Sequence, residues 1–316
     1  NTPCRTLQYA VDQATSGDEL RVASGVYTST LDYVVRVYKD LTLRGGFTVT
    51  NWLVPDLMKN ATLIDGENSR RGVLIDTEAD VIISGFHIRG GNLDAQNEPG
   101  AGIYNQVGTL LVEDCLIYDN FTDGGPGDRL NAGGGVASGS DLGAENNYLV
   151  LRRNEIHDNH ASFSGGGVVV ISGDALLQRN RIYGNSARFG GGFSLDGGSA
   201  TFANNLVYIN TTTSDGSGGG IAVDDDAVDL KLLHNTIYSN STTGDGGGLA
   251  VFGGNLAITN TLLISNTAET GNAIYNSGGS VALAYTDLWG PRPFFNDNNL
   301  VDLTEVYTRA PHFENP

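Results

Sequence analysis

The sequence has little cysteine, little proline and no long apolar run. Of its 316 residues, 2 are Cys and 8 are Pro, whereas 44 are Gly. Two cysteines cannot supply the dense disulfide framework that holds a small secreted domain together. The apolar runs are shorter than the roughly 20 residues that a transmembrane helix needs. We therefore expect a chain that is stabilised by its own core and is not inserted into a membrane.

Positive charge is also scarce. The chain has 18 Lys and Arg against 36 Asp and Glu, which gives a formal net charge of −18. A surface of this sign repels nucleic-acid phosphates and anionic lipid headgroups. This argues against nucleic acid as a partner and leaves cation binding open. No signal peptide is recognisable, and we expect a mature or trimmed sequence.

One segment of about 26 residues is repeated along the chain. Its closing asparagines, Asn159, Asn185, Asn210, Asn240 and Asn266, are 26, 25, 30 and 26 residues apart. Typical closing segments read Asn180-Arg181-Ile182-Tyr183-Gly184-Asn185 and Asn235-Thr236-Ile237-Tyr238-Ser239-Asn240. A period of this size is typical of a solenoid.

Apolar columns recur when the first Asn of each closing segment is position zero. Position −3 holds Val112, Leu151, Leu177, Phe202, Leu232 and Ile258, and position +2 holds Ile117, Ile156, Ile182, Val207, Ile237 and Leu263. The step of two within each segment predicts strands. The odd step between the columns requires a corner at about position −1 to 0, and Asn suits that corner because it tolerates left-handed backbone angles. A third strand after each glycine run, such as Val168 to Val170, predicts a triangular coil.

Identical side chains should stack where coils lie about 4.8 Å apart. The Asn column at position zero predicts a ladder of amide hydrogen bonds that stops where Cys115 and Thr261 replace Asn. Position +3 carries the rings of Tyr118, His157, Tyr183, Tyr208 and Tyr238. Stacking on the outer wall is the structural interpretation of this column, and binding of sugar rings is the alternative.

Glycine triplets followed by an aliphatic or aromatic residue precede the third strand at Gly133-Gly134-Gly135-Val136, Gly165-Gly166-Gly167-Val168, Gly190-Gly191-Gly192-Phe193, Gly218-Gly219-Gly220-Ile221 and Gly246-Gly247-Gly248-Leu249. With the Asn-rich closings, they resemble the right-handed parallel β-helix repeats of bacterial surface proteins. They look like the Gly-Gly-Ala-Ile repeats of chlamydial polymorphic outer-membrane proteins. The start of the chain, Cys4 to Val11 and then Gly25-Val26-Tyr27, resembles that of the pectate-lyase-like superfamily. Those proteins include lyases, hydrolases, adhesins and inert scaffolds, so the resemblance implies a fold and leaves activity open.

We predict an all-β fold, a single-stranded right-handed parallel β-helix (solenoid) with a short N-terminal capping helix. The coils should number roughly nine to eleven, at the spacing of β-sheet strands. The predicted parts of this single domain, residues 1–316, are an N-terminal cap at 1–19 around a helix from Thr6 to Ala14, irregular coils at 20–100, regular Gly-rich coils at 101–284 and a C-terminal capping tail at 285–316.

Several segments depart from the repeat. A loop at residues 48–60 is expected to pack on the wall, and polar insertions at 91–100, 121–132 and 211–217 should build one lateral face, where solenoids often carry function. An aromatic and proline-rich patch from Trp289 to Phe295 predicts a cap, or alternatively a docking strip.

The two cysteines should lie several coils apart, beyond the ~7 Å limit between Cα atoms for a disulfide. Cys115 is therefore interpreted as a buried substitute in the Asn column. A Cys4–Cys115 disulfide, or a partner for Cys4 in a preceding segment, stays an alternative.

Acidic residues provide the candidate metal site. Asp224, Asp225 and Asp226 follow a predicted strand, and Asp196 and Asp174 are expected at a similar phase in neighbouring coils. Three consecutive carboxylates suit Ca²⁺, which prefers hard oxygen ligands. The structural alternative is that Asp is common in turns because it bonds turn backbone.

Basic residues form a second column beside the Asn corner. Arg153, Arg179 and His234 share one position, and Arg152 and Arg181 flank it, with Glu155 placed to pair Arg181. We interpret them as cross-coil charge pairs on a solvated face, with catalysis as the alternative. No Ser-His-Asp set, zinc spacing or phosphate loop is recognisable, and we assign no catalytic residue or cofactor-binding residue.

These features predict a non-catalytic protein of the cell surface or exterior: an adhesin, a carbohydrate-contacting scaffold or a subunit that assembles end to end. Polysaccharide, another surface component or further copies of the chain are the expected partners. The alternative is a polysaccharide lyase or glycoside hydrolase acting on an acidic polysaccharide. For that alternative, acidic groups must converge in adjacent coils.

Overall fold

The computed structural model describes residues 4–93, 98–123, 130–140, 147–296 and 301–308. The chain is 55% strand and 2% helix and forms a right-handed parallel β-solenoid of about 10 turns. The predicted fold class, with its short N-terminal helix, is confirmed.

The helix α1 spans Leu7–Gln13. Thr6 caps it by accepting a hydrogen bond from the backbone N–H of Tyr9, a favourable role for Thr at this position. Leu7 and Val11 are buried against the first coils. The helix therefore covers the apolar lower end of the solenoid, as its spacing of apolar residues predicts.

The strands are short, and most coils contribute three or four of them. The lower strands are β1 (Asp18–Ala23), β2 (Gly25–Tyr27), β3 (Tyr33–Arg36), β4 (Leu41–Phe47), β5 (Thr62–Ile75), β6 (Asp80–Ser84), β7 (His87–Gly91), β8 (Ile103–Asn105), β9 (Thr109–Glu113), β10 (Leu116–Tyr118) and β11 (Phe121–Thr122). The middle strands are β12 (Val136–Ser138), β13 (Tyr148–Arg152), β14 (Glu155–His157), β15 (His160–Ala161), β16 (Val168–Val170), β17 (Asp174–Gln178), β18 (Arg181–Tyr183), β19 (Ser186–Phe189), β20 (Phe193–Leu195), β21 (Gly198–Ala203), β22 (Leu206–Tyr208) and β23 (Thr211–Ser217). The upper strands are β24 (Ile221–Val223), β25 (Ala227–Leu233), β26 (Thr236–Tyr238), β27 (Leu249–Val251), β28 (Asn255–Thr259), β29 (Leu262–Ile264), β30 (Ile274–Asn276), β31 (Ser280–Trp289), β32 (Phe294–Asn296) and β33 (Val301–Tyr307).

The strands build three parallel faces. The first face pairs β1, β4, β6, β9, β13, β17, β21, β25, β28, β31 and β33 in that order. The second face pairs β2, β5, β7, β10, β14, β18, β22, β26, β29 and β31. The third face pairs β3, β5, β8, β12, β16, β20, β24, β27, β30 and β32. The long strands β5 and β31 each bend around a corner and serve two faces.

One narrow core runs the length of the solenoid. Leu177 on the first face, Ile182 on the second and Val168 on the third are all fully buried and belong to the same cluster. The pairing keeps this order from coil to coil, since Ile182 lies beside Ile156 below and Val207 above. The predicted inward columns are therefore confirmed.

The left-handed residue at each corner is not the Asn itself. Arg179, directly before Asn180, has φ 55°, and Asn204 and His234 occupy the same position in the next coils. The second face ends in a similar corner, where Ile209 precedes Asn210 with φ 55°. The corner lies at position −1, within the predicted range, but the Asn at position zero contributes its side chain and not the left-handed backbone.

The first Asn ladder joins the first and second faces. Asn154, Asn180 and Asn205 each donate a side-chain N–H to Oδ1 of the Asn above, at 3.0–3.1 Å. At its ends, backbone N–H groups make the links: Cys115 donates to Asn154 and Asn235 donates to Oγ1 of Thr261. The predicted ladder and its ends are confirmed.

A second Asn ladder, formed by the closing asparagines of the repeat, closes the second face. It contains Asn120, Asn159, Asn185, Asn210, Asn240 and Asn266, joined at 2.9–3.0 Å. Each member is at most 1% exposed. Two amide ladders, not one, therefore hold the corners of the coil.

The glycine triplets are needed for space and backbone angle. Gly165 has φ +61°, which favours Gly. A Cβ on Gly166 would lie 2.3 Å from the carbonyl oxygen of Ser186, and one on Gly167 would lie 2.6 Å from that of Gly192. The predicted role, a tight turn where side chains would collide, is confirmed.

A fourth sheet lies between the second and third faces. It contains β11, β15, β19 and β23, all parallel. The insertion predicted at 211–217 is the strand β23 of this sheet. The insertions at 91–100 and 121–132 lie partly outside the described residues.

The loop at 48–60 packs the Trp52 ring on Phe47, while Met58 is 94% exposed.

The described end of the chain continues the solenoid. β32 pairs with β30, and β33 pairs with β31, both in parallel. The segment predicted as a capping tail at 285–316 thus adds strands up to Tyr307. Residues 309–316 and 297–300 lie outside the described part.

Both cysteines are free. Cys4 is exposed, whereas Cys115 is buried in the first Asn ladder and burial raises the pKa of its thiol to about 12. The Cys115 sulfur accepts a hydrogen bond from the backbone N–H of Phe86 at 3.4 Å. The interpretation of Cys115 as a ladder substitute is confirmed, and the alternative Cys4–Cys115 disulfide is excluded.

Asn185→Ala should destabilise the solenoid strongly. It leaves the backbone and side-chain N–H groups of Asn159 without their acceptor and the carbonyl of Ile156 without its donor, all buried. We expect a loss of about 3 kcal/mol or more, seen as a lower thermal unfolding midpoint. The control Asn255→Ala removes an exposed Asn that bonds Asp229 and should change stability by less than about 0.5 kcal/mol. Equal midpoints for the two variants would contradict the role of the ladder.

Two half-buried histidines should make the fold sensitive to acid. Desolvation lowers the pKa of His87, with the Arg89 charge adding to it, and lowers the pKa of His160, where the Asp123 charge opposes it. Their rings contact Tyr118 and Phe121, respectively. The unfolded state then binds more protons, so this contribution is present above about pH 6.5 and is lost as the pH falls below that value.

The measurement is thermal unfolding at about pH 7.5 and about pH 5.5, on either side of the usual His range. His87→Gln and His160→Gln should narrow the difference between the two midpoints. His234→Asn, at an exposed corner where other coils have Asn, should leave it unchanged. An unaltered difference in both Gln variants would refute this source of acid sensitivity.

Candidate functional site

A lateral cleft of about 570 Å³ lies on the third face. Its floor is formed by the outward residues Ser194 of β20 and Ala222 of β24, which pair across adjacent coils. It is lined further by Phe163, Ser164, Arg188, Phe189, Asp196, Asp224, Asp225, Phe252 and Ser277. We call this the third-face cleft.

Segments on both sides of the third-face strands supply its walls. Arg188 and Phe189 end β19 of the fourth sheet, directly before a glycine triplet. Asp196 and Asp224 each directly follow a third-face strand, and the backbone N–H of Asp224 bonds the carbonyl of Leu195. The two residues thus occupy equivalent places in consecutive coils, whose strands lie about 4.8 Å apart.

Asp196 is fixed by two serine hydroxyls. Ser164 Oγ donates to Asp196 Oδ2 at 2.6 Å, and Ser194 Oγ donates to Asp196 Oδ1. Both serines are at most 1% exposed. These hydrogen bonds to both carboxylate oxygens set the orientation of the group.

Aromatic rings in the cleft meet at steep angles. The rings of Phe163 and Phe189 lie 5.5 Å apart at 66°, and those of Phe189 and Phe252 lie 6.3 Å apart at 87°. The Arg188 guanidinium lies 5.1 Å from the Phe189 ring centroid. All three rings are partly exposed, so the cleft can offer an apolar surface beside its carboxylates.

The ring column on the second face has the opposite geometry. Tyr118, His157, Tyr183, Tyr208 and Tyr238 stack in sequence, with centroids 4.8–5.2 Å apart and planes 1–17° apart. This confirms the structural interpretation of the column. Each ring between the two ends is covered on both faces, and only edges reach solvent. The alternative, sugar binding on these faces, is therefore disfavoured within the stack.

The candidate metal ligands lie at the edge of the third-face cleft. Asp224 and Asp225 line it, and Asp226 is exposed in the same turn. Asp224 Oδ1 accepts the backbone N–H of Asp225 at 2.9 Å, as the turn interpretation expects. Asp174 belongs to the first face, where it pairs with Ser199, so its predicted phase with Asp196 was wrong.

Among the residues that the structure describes, no group of three or more His, Cys, Asp and Glu side chains is arranged to hold a metal ion. Calcium binding by Asp224, Asp225 and Asp226 stays a prediction from the sequence.

Cross-coil ion pairs, which were expected for the basic column, form at Arg153 and Arg181. Arg153 bonds both Asp114, at 2.6 Å, and Glu113, at 2.9 Å. Arg181 bonds Glu155 at 2.9 Å, and its guanidinium also donates to Tyr208 Oη. The side chains of Arg153 and Arg181 are 41% and 52% exposed, so such pairs contribute little to stability.

Sequence reasoning missed most of the third-face cleft. Ser164, Phe189 and Phe252 do not belong to the apolar or Asn columns. The available signal was positional: Ser164 and Phe189 each directly precede a glycine triplet, and Asp196, Asp224 and Phe252 directly follow a third strand. A search for polar and aromatic residues that flank the repeat could have found them.

Comparisons with known proteins point to one family. The family model described as "Right handed beta helix region" matches residues 71–283, more than half of the chain. No curated protein and no solved structure matches significantly. In the described residues, helices long and apolar enough to cross a bilayer are absent.

Calcium binding can be tested by melting the protein with calcium and with a chelator. If the three carboxylates bind Ca²⁺, calcium should raise the unfolding midpoint of the parent chain and not that of the variant Asp224→Asn/Asp225→Asn/Asp226→Asn. The triple Asn variant should otherwise keep its fold, because Asn also serves in turns. Equal midpoints for the parent with calcium and with chelator would refute the site.

Proposed function

Because the chain belongs to the family of right-handed β-helix proteins, in which activity differs among members, we propose a function from its third-face cleft. The protein is a non-catalytic, carbohydrate-contacting scaffold of the cell surface or exterior, and the third-face cleft holds the saccharide. The observation that carries this proposal is the meeting of partly exposed aromatic rings with an oriented carboxylate, Asp196, in one concave site.

The apolar part of the cleft suits a sugar ring. The C–H faces of a pyranose are apolar, and aromatic side chains supply large contact areas at low conformational cost. Phe189 lies between Phe163 and Phe252, so it is the central ring of the cleft. Removing it should cost more affinity than removing either neighbour.

The polar part of the cleft suits sugar hydroxyls. Asp196 is held by Ser164 and Ser194, and a carboxylate is an acceptor that suits the hydroxyl groups of a ligand. Asp224 adds a second carboxylate one coil above. Such charged acceptors make stronger hydrogen bonds than neutral ones.

The charge of the cleft narrows the class of saccharide that it is expected to bind. The cleft is lined by three carboxylates, those of Asp196, Asp224 and Asp225, and by one cation, Arg188. Together with the net charge of −18, this disfavours an acidic polysaccharide in the cleft. We therefore expect neutral, hydroxyl-rich saccharides to bind better than uronates.

The proposal of a surface location rests on the resemblance of the repeats to those of bacterial surface proteins. A rigid coil of many stacked turns suits display away from the cell. End-to-end association of copies is a further proposal for its partners, since stacked coils carry unpaired strand edges at an uncovered end.

Glycoside hydrolysis is the second candidate, and the placement of Asp196 and Asp224 in consecutive coils favours it. Retaining glycosidases use two carboxyl groups about 5–5.5 Å apart, close to the spacing between coils. On this hypothesis one carboxyl group protonates the leaving oxygen and the other attacks the sugar. A lyase would require a basic residue, and Arg188 is the cleft residue of that type.

Binding should be measured with an array of neutral and acidic oligosaccharides and then by calorimetry with cellohexaose and hexagalacturonate as probes. We expect a neutral ligand to bind, and Phe189→Ala or Asp196→Asn to weaken it by about tenfold each. Asp174→Asn on the first face and Tyr148→Ala, which removes an exposed ring there, are matched controls and should keep affinity.

Two outcomes decide between the candidates. Release of new reducing ends by the parent chain, lost in Asp224→Asn, would establish hydrolysis and overturn the non-catalytic proposal. Failure of every saccharide to bind, or equal weakening by the first-face controls, would overturn the third-face cleft as the site.

A further inference from the structure

We propose that a second concavity, formed by Arg152, Arg153, Gln178, Arg179 and Asn204, binds an oxyanion, a carboxylate or sulfate group. We call it the arginine corner, and its volume is about 300 Å³. It lies where the first face turns into the second, whereas the third-face cleft lies on the third face. The two sites would therefore take different ligands independently.

The fold places these side chains in register. Arg152 pairs with Gln178 across β13 and β17. Arg153 and Arg179 follow them at the left-handed corner positions, with φ 56° and 55°, and Asn204 follows at the same position one coil higher. The first Asn ladder directly behind this corner fixes its backbone.

Positive charge is not balanced at the arginine corner. Arg153 pairs with Asp114 and Glu113, but Arg152 approaches Glu113 only to 4.0 Å. In the described part of the chain, Arg179 makes no ion pair within the usual distance. Like charges at matching positions on neighbouring strands are destabilising. Three arginines beside two carboxylates therefore form a local positive site on an acidic protein.

The donors of the corner suit an oxyanion. Guanidinium groups present paired N–H donors that match carboxylate and sulfate oxygens. The ion pairs of Arg153 hold it in place, so little side-chain freedom is lost there on binding. The side-chain amides of Gln178 and Asn204 can donate further hydrogen bonds.

The net negative charge does not prevent such binding. Charges on the surface are screened over about 8 Å at physiological ionic strength. The arginines within the concavity therefore act on the ligand more strongly than distant carboxylates do. Increasing salt should weaken the interaction, because it depends on charge.

The repeat itself supplies variants that should fold. Asn occupies the position of Arg179 in a higher coil, at Asn204, and Gln occupies the position of Arg152 in the next coil, at Gln178. Arg179→Asn and Arg152→Gln each remove one charge with a residue that the corner accepts. Arg44→Gln, on the first face in a lower coil, removes the same charge elsewhere and is the matched control.

The experiment is calorimetric titration of the full chain at low, fixed ionic strength with sodium sulfate, a sulfated hexasaccharide and hexagalacturonate. We expect at least one probe to bind, with affinity reduced at least about tenfold in Arg179→Asn and in Arg152→Gln. The Arg44→Gln control and the cleft variant Phe189→Ala should change it by less than about twofold. Equal affinity for sulfate and the hexasaccharide would assign a free inorganic oxyanion, whereas tighter hexasaccharide binding would assign a group carried on a polymer.

Three results would overturn the arginine corner: no heat of binding with any probe, an equal loss in the Arg44→Gln control, or full affinity in both corner variants. A loss of affinity for the probe in Phe189→Ala alone would place the oxyanion in the third-face cleft instead. Because the proposed function is tested through Phe189 and Asp196, the two proposals can fail separately.

Discussion

A coil can be stacked on its neighbour only if every turn of the chain has the same height and the same angle at its corners. Side-chain amides enforce this condition at two corners of the present fold. Asn185 donates to the carbonyl of Ile156 below and to Asn210 above, while its oxygen accepts both N–H groups of Asn159. An Asp in its place would lack the donors and would stack negative charges in a buried column. The amide, with both donors and an acceptor, satisfies all of its neighbours.

The columns that point inward could be predicted from the sequence because they depend on local periodicity alone. A step of two identifies each strand, and repetition aligns Leu177 with Leu151 and Phe202. The odd step also located the corner at about position −1 to 0, but the residue with the left-handed backbone could not be assigned, because arginine, histidine and asparagine all occupy position −1. At position −1 the backbone is imposed by the stacked ladder behind it, so the identity of the corner residue carries little signal.

The third-face cleft could not be predicted from the sequence, because it depends on the register between coils. Its walls come from residues that flank the repeat, and variable loop lengths shift their phase. Asp174 illustrates the problem, because counting residues placed it beside Asp196, whereas pairing places it beside Ser199 on another face. The register of the strands had to be known before Asp196, Asp224 and Phe189 could be grouped into one site.

In this molecule, the orientation of the aromatic rings distinguishes those suited to a structural role from those suited to binding. When rings repeat at one position of a parallel sheet, they stack face to face and cover each other, as Tyr183 and Tyr208 do at 4.8 Å. A ligand then meets only ring edges, and the stack contributes stability to the second face. Rings that come from different positions of the coil, such as Phe189 and Phe252, cross at a steep angle, do not stack face to face, and stay partly exposed. In a solenoid, binding by aromatic residues is therefore favoured where the repeat is broken, and regular columns favour cohesion between coils.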